Sequence, residues 1–200
     1  MTNGDEWARE RFSPQWKKWR KSVPLDDYEK RFDDIAARGE NPHGEADFVV
    51  RYAPASVLDA GCGFGRIGSE LVNRGVFVVG VDLDPDLIER AQRRTPNVEW
   101  LLGDLSDFAL DRQFSLVLLA GNVLGFAADP GAVTRNCARH VEKGGRLVIG
   151  NQLQIGWPTP ADIDVWAGEE GLVREACFAT WNGDLFAENS DYMVTVHRRD

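Results

Sequence analysis

The chain has 200 residues, 43% hydrophobic and 28% charged, enough for one globular domain with a sizeable core, which excludes disordered, collagen-like and mini-protein readings. Twenty-three Lys and Arg stand against 32 Asp and Glu, and the resulting charge of −9 repels phosphate backbones and anionic lipid, so neither nucleic acid nor membrane is an expected partner. Three widely separated cysteines, Cys62, Cys137 and Cys177, frame neither a zinc site nor a disulfide ladder; no metal is expected, and the thiols suit a reducing cytoplasm.

The chain starts Met1-Thr2-Asn3-Gly4-Asp5-Glu6, without the positive start or apolar run of a secretion signal, so a cytoplasmic location is expected. Residues 1–53 read as a helical extension. Segments 7–21 and 25–38 place aromatic and aliphatic residues at helical intervals, as in Phe12, Trp16 and Trp19, and Pro14 and Pro24 punctuate them. A turn at 39–44 contains Asn41-Pro42, and a short helix is expected over 45–52. Segment 7–21 holds six Lys or Arg, one Glu and three Trp, which reads as a lid: Phe12, Trp16 and Trp19 rest on the domain, the basic stems face water and Tyr28 lies near the rim. The other reading is a helix that only packs.

Residues 54–200 form the expected core. Short β-branched runs at 56–59, 77–82, 98–102, 115–120 and 146–151 alternate with amphipathic segments at 66–74, 85–94 and 130–141, the pattern of a parallel sheet with crossover helices. Gly144-Gly145 is read as closing the last of these helices. The apolar stretch 116–128 is too short for a membrane span of about 20 residues; with Gly121, Asn122 and Gly125 it reads as a buried strand and the loop after it. A helix over 159–170 precedes two strand-like segments, 172–181 and 191–199, separated by a turn that begins Asn182-Gly183 and expected to form an antiparallel hairpin.

The most informative stretch is Val57-Leu58-Asp59-Ala60-Gly61-Cys62-Gly63-Phe64-Gly65, a buried strand running into a glycine turn and then a helix. Glycines let the backbone take positive φ and let a ligand approach the main chain, and the following helix offers free N–H groups. One helix later, a second strand ends in Asp82, a carboxylate able to accept from two ribose hydroxyls. The dinucleotide fingerprint G-x-G-x-x-G fails in register, because Arg66 stands where the third glycine belongs and Gly65 comes one residue early.

In these residues the chain resembles the class I S-adenosylmethionine-dependent methyltransferases, whose signature acidic-x-Gly-x-Gly-x-Gly is matched by Asp59, Gly61, Gly63 and Gly65. The resemblance continues through Asp82 and Leu83 at the family's ribose acid, through Gly103, Asp104 and Leu105 at its adenine loop, and through Ala120 and the stretch 118–126 facing the methionine part. It covers about residues 54–152. It implies a three-layer α/β fold, a doubly wound, mostly parallel seven-stranded sheet with an antiparallel last strand, that binds S-adenosylmethionine over the carboxyl ends of the strands.

Several residues have a structural reading beside the functional one. Asp59 either touches cofactor or holds the glycine loop through backbone N–H groups; Asp84, just before Pro85, reads as a helix cap. Asn122 either orients the acceptor or bonds its own turn. His43 is the candidate general base, against the alternative of a surface turn histidine; His140 and His197 read as structural. Trp157 and Trp181 follow strand ends that border the acceptor pocket in this fold, or else belong to the core. Cys62 packs beneath the loop. The expected activity is methyl transfer to a small-molecule acceptor, with a nicotinamide-dependent oxidoreductase and a non-catalytic S-adenosylmethionine-binding module as alternatives; no residue pattern specifies an oligomeric state.

Overall fold

The computed structural model describes residues 3–200, so the two residues at the start of the expected extension, Met1 and Thr2, lie outside it. Four helices come first: α1 (Asn3–Glu10), α2 (Pro14–Ser22), α3 (Leu25–Ala37) and α4 (Gly44–Val50). The alternating region follows as β1 (Ser56–Ala60), α5 (Arg66–Asn73), β2 (Phe77–Asp82), α6 (Pro85–Arg94), β3 (Glu99–Leu102), β4 (Phe114–Leu119), α7 (Val123–Phe126), α8 (Pro130–Arg139) and β5 (Val141–Gln152). The chain ends with α9 (Pro160–Gly168), β6 (Leu172–Phe178) and β7 (Tyr192–Arg199).

All seven strands form one sheet in the order β3-β2-β1-β4-β5-β7-β6, with β7 antiparallel to both neighbours and the rest parallel. Strand alternation sends Leu58, Val79, Val117, Leu147 and Ile149 to one face, under Val133, Cys137 and Ala138 of α8 and Ile163 and Ala167 of α9. It sends Val57, Val78, Leu116, Leu118 and Val148 to the other, under Phe48 and Val49 of α4 and Ile67 and Leu71 of α5. Both faces are covered, which is why these strands read as unbroken apolar runs. The order reverses between β1 and β4, and such a reversal opens a crevice at the carboxyl ends of the strands.

Proline marks three of the helix starts in this region. Asp84, Asp129 and Thr159 cap α6, α8 and α9 through side-chain oxygens, each followed by Pro at the first helical position, where the missing N–H is no loss.

Four expectations need correction. Segment 7–21 is two helices, because the chain turns at 11–13 and Ser13 caps α2 ahead of Pro14. The stretch after β4 contains the short helix α7. The strand expected at 146–151 begins earlier, at Val141, and the pair Gly144 and Gly145 does not close α8, which ends at Arg139. The glycines sit in a bulge of β5: Phe114 pairs with Val141 and Leu116 with Arg146, so the intervening residues loop out and Gly144 takes φ +78°. Finally, β6 stops at Phe178, short of Trp181.

Candidate active site

A cavity of about 810 Å³ lies over the carboxyl ends of the strands at the β1/β4 reversal, roofed by the α1–α2 turn, α2 and α3. Its floor is the glycine loop. The N–H groups of Gly61 and Cys62 both donate to the Val81 carbonyl, at 2.8 and 3.1 Å, tying the loop to β2. Gly61 has φ +81°, and a Cβ there would lie 2.4 Å from Val123; Gly63 has φ +55°, and a Cβ there would meet nothing within 4 Å, so its backbone lies bare to the cavity. Gly65 does not line the cavity. It caps α5 in the left-handed region and lets Ala91 and Trp100 approach to 3.0 Å of where its Cβ would be.

Beneath the loop, Asp59 is buried and its Oδ2 accepts from the Gly68 N–H at 3.0 Å, fixing the first turn of α5 rather than facing the cavity. Burial pushes its carboxyl up to about 7, with the Gly68 N–H pulling the other way. The folded protein therefore holds a proton on Asp59 that the unfolded chain releases near its ordinary value, and this site weakens folding as pH rises from about 4 to about 7. Asp59→Asn keeps the acceptor oxygen without the charge. It is expected to match the wild type in melting temperature near pH 4 and to exceed it increasingly up to about pH 7, with a constant gap above, as thermal melts across that range would show.

Asp82 lines the cavity at the end of β2. Its Oδ2 accepts from the Gly63 N–H and its Oδ1 from the Asp84 N–H, both at 2.8 Å, so the carboxylate and the glycine loop are one unit. Burial raises its carboxyl to about 6 despite these bonds. Asp84 is buried as the cap of α6, and it also accepts from Trp16 Nε1 at 3.3 Å and Arg20 Nε at 2.7 Å.

Leu83, Asp104, Leu105, Ala120 and Asn122 all reach the cavity wall. Gly103 lies behind it, its N–H donating to the Asp82 carbonyl at 2.9 Å. Asp104 accepts from Ser106 N and Oγ and from Arg11 Nε at 2.6 Å; burial alone would raise its carboxyl, but these donors outweigh it and leave it lowered. Asn122 holds φ +69°, a conformation that asparagine tolerates better than most residues, and its Oδ1 accepts from Gln152 N at 2.8 Å.

The roof is aromatic. Trp16 and Trp19 stack at 4.7 Å, Trp16 meets Phe126 edge-on at 5.4 Å, Trp19 meets Tyr28 at 5.1 Å, and all four line the cavity. Ser13 Oγ donates to the Phe126 carbonyl at 2.6 Å. The basic stems do not all face water, a further correction. Lys17, Lys18 and Lys21 do, but Arg9, Arg11 and Arg20 reach Asp86, Asp104, Asp107 and Asp84 in the core, because the loops after β2 and β3 present carboxylates at the roof's edge.

Besides Asp59, Gly65 and Gly103, two more expected site residues lie off the cavity. His43 immediately precedes α4, with Nε2 4.0 Å from Glu70 on α5; two residues on, about 200° around the helix, Glu45 faces the cavity instead. Trp157 stands behind Phe126 at 5.7 Å and covers Gly125, where a Cβ would lie 2.4 Å from the indole, so it supports the wall without forming it. Trp181 does line the cavity. His140 stacks on Phe108 at 4.4 Å and His197 bonds Asp164 at 2.9 Å, both as structural groups. Among the described residues, no group of three or more His, Cys, Asp or Glu could hold a metal.

Several cavity residues lack a sequence signal of their own. Arg66 pairs with Glu45 at 2.6 Å and lies 4.1 Å over the Phe32 ring; Arg31 and Tyr192 complete this side. Arg66 follows the third glycine directly, the one hint that its side chain would reach the loop's ligand.

A family model described as a methyltransferase domain matches residues 57–145. The structure of a TehB-like SAM-dependent methyltransferase from Corynebacterium glutamicum is 38% identical, with a TM-score of 0.79 covering 88% of this chain and 97% of that one. Among curated proteins, a dTDP-3-amino-3,4,6-trideoxy-alpha-D-glucopyranose N,N-dimethyltransferase of Streptomyces venezuelae is 31% identical over 135 residues, 65% of this chain and 55% of that protein. A ubiquinone biosynthesis O-methyltransferase of Coxiella burnetii is 30% identical over 95 residues, 46% of this chain and 41% of that protein. The chain thus spans about half the length of the curated relatives it matches.

Proposed function

The chain belongs to the class I S-adenosylmethionine-dependent methyltransferases, and from that premise we propose that it moves the sulfonium methyl group of S-adenosylmethionine to a nucleophilic oxygen, nitrogen, sulfur or carbon of a small molecule. The observation that carries this reading is the sharing of one cavity by the bare backbone of Gly63, the Asp82 carboxylate and an aromatic wall that includes Trp181. A Cβ at Gly63 would project into the space that the ligand needs.

The cofactor would be held by the Gly61 and Gly63 backbone, by Asp82 and Leu83 at the ribose, by Asp104 and Leu105 at the adenine, and by Ala120 toward the methionine part. Asp59, Gly65 and Gly103 shape that wall from behind. Bound there, S-adenosylmethionine supplies an activated methyl group, whose C–S electron pair stays on sulfur as the acceptor's lone pair forms the new bond. The residues of the chain then work by position. Asn122 orients the acceptor, the aromatic roof excludes water, and residues 1–53 act as a lid over the core of 54–200. His43 has no role in this reading, because it does not line the cavity and its Nε2 lies 4.0 Å from Glu70 on α5. Three free cysteines are in keeping with a cytoplasmic site of action, and no helix among the described residues is long and apolar enough to cross a membrane. A small-molecule acceptor is in keeping with relatives named for amino sugars and ubiquinone biosynthesis.

The test is calorimetric titration with S-adenosylhomocysteine beside NADH and NADPH, then transfer of labelled methyl from S-adenosylmethionine into a small-molecule cell extract. Saturable binding of S-adenosylhomocysteine alone, in about the micromolar range, with label in the extract is expected. Binding of a nicotinamide nucleotide instead, or cofactor binding with no label transferred, would overturn the proposal.

A further inference from the structure

Two side chains in the cavity wall have their oxygens engaged and their protons uncommitted. Tyr192 begins β7, largely buried, and its Oη accepts from Trp181 Nε1 at 3.2 Å; no acceptor for its own hydroxyl proton exists among the described residues. Burial holds this phenol well above its usual range, so it stays a donor throughout physiological pH. Asn122 is alike: Oδ1 accepts from Gln152 N at 2.8 Å, and the amide Nδ2 has no partner among the described residues. Gln152 joins the two, because it pairs with Tyr192 across β5 and β7.

The arrangement depends on a glycine. A Cβ at Gly150 would lie 2.1 Å from the Trp181 ring and 2.8 Å from Tyr192 Oη, so indole and phenol rest on bare backbone and are held in one place. Neither donor is hydrogen-bonded to the glycine loop or to Asp82, and Tyr192 lies outside every stretch expected to hold the cofactor, while Asn122 lies in the one expected to face its methionine part. Arg66 is committed to Glu45 and Arg11 to Asp104; Arg31 has no carboxylate partner among the described residues, but neither does Asp191 have a cationic one. Across the wall, Arg11, Arg31 and Arg66 stand against the carboxylates of Glu45, Asp82, Asp104, Asp129 and Asp191. That balance disfavours an anionic acceptor.

Resting on the methyl-transfer reading, the geometry points to Tyr192 and Asn122 as a two-donor clamp for an oxygen adjacent to the acceptor's nucleophilic atom. The acceptor class is therefore a neutral 1,2-diol, catechol or 1,2-amino alcohol, rather than a molecule with an isolated nucleophile. Two donors match the two lone pairs of one oxygen. Placed on the nucleophile itself they would occupy the lone pair that attacks the methyl carbon; placed on its neighbour they orient it and leave that pair free. Asn122 follows β4 immediately after Ala120 and Gly121, which sets the clamp beside the expected position of the methyl donor.

The test uses catechol and phenol as probes, differing by the adjacent oxygen. Each is titrated into protein saturated with S-adenosylhomocysteine and assayed as acceptor with S-adenosylmethionine. Catechol is expected to bind about tenfold more tightly and to show a correspondingly higher kcat/KM. Tyr192→Phe should shrink the preference to about twofold while S-adenosylhomocysteine affinity stays within about twofold of wild type. Trp181→Phe, which keeps the hydroxyl but removes its anchor, should fall between. An undiminished preference in Tyr192→Phe, or equal or absent binding of the two probes to the wild-type complex, overturns the clamp and leaves the cofactor reading standing. Failure of S-adenosylhomocysteine to bind the wild type overturns both.

Discussion

Asp82→Ala is expected to weaken S-adenosylhomocysteine binding at least about a hundredfold, the largest single loss in the molecule, because in the proposed reading one carboxylate serves both the loop and the ligand. Its two oxygens already accept from Gly63 and Asp84 N–H groups at 2.8 Å, and each keeps a further lone pair toward the cavity. Removing the side chain strands both backbone donors and lets the loop drift from the position that leaves Gly63 bare. Asp82→Asn retains one acceptor and should lose about tenfold. The carboxyl titrates at about 6, raised by burial, so the ligand-binding carboxylate disappears as pH falls through 6. Wild-type affinity should therefore decline below about pH 6, while Asp82→Asn stays flat over the same range. Calorimetry at pH 5, 6 and 7.5 reads both effects, and unchanged affinity in Asp82→Ala would remove Asp82 from the cofactor site.

What the sequence discloses about this molecule follows from how local each signal is. The strand into Asp59 and the turn through Gly65 are contiguous, and their φ demands are met by glycine alone, so the loop is legible at once. Asp82, one helix later, needs only the rule that parallel strands end on the same side. The roof is half legible: Trp16 and Trp19 betray an amphipathic helix, but Asp84, the partner of Trp16, lies 68 residues away and Phe126, the partner of Ser13, lies 113 away. Gly144 and Gly145 mislead because a β-bulge and a helix end ask for the same residue. His43 draws attention as a histidine in a turn, whereas the side chain two residues on, Glu45, is the one at the cavity. Tyr192 carries no local mark; its position depends on Gly150 and on β7 lying beside β5.

Arg20→Met should release S-adenosylhomocysteine about tenfold faster than the wild type and lower stability by about 3 kcal/mol. Arg20 donates from Nε to Asp84 at 2.7 Å and from Nη2 to Asp86 at 2.8 Å. Asp84 is fully buried, so losing the guanidinium leaves its carboxylate with only neutral donors, the Asp86 N–H and the Trp16 indole. The damage reaches the ligand through one covalent step, since the Asp84 N–H is what holds Asp82 Oδ1. Arg9→Met is the control: its bond to Asp86 joins side chains 39% and 38% exposed, and such a pair contributes about 0 to 1 kcal/mol. Stopped-flow fluorescence, with Trp16 and Trp19 as reporters in the roof, gives the release rate, and thermal melting gives the stability. If Arg20→Met melts lower yet releases ligand at the wild-type rate, α2 is a fixed wall of the cavity, and the ligand enters and leaves without any lid opening.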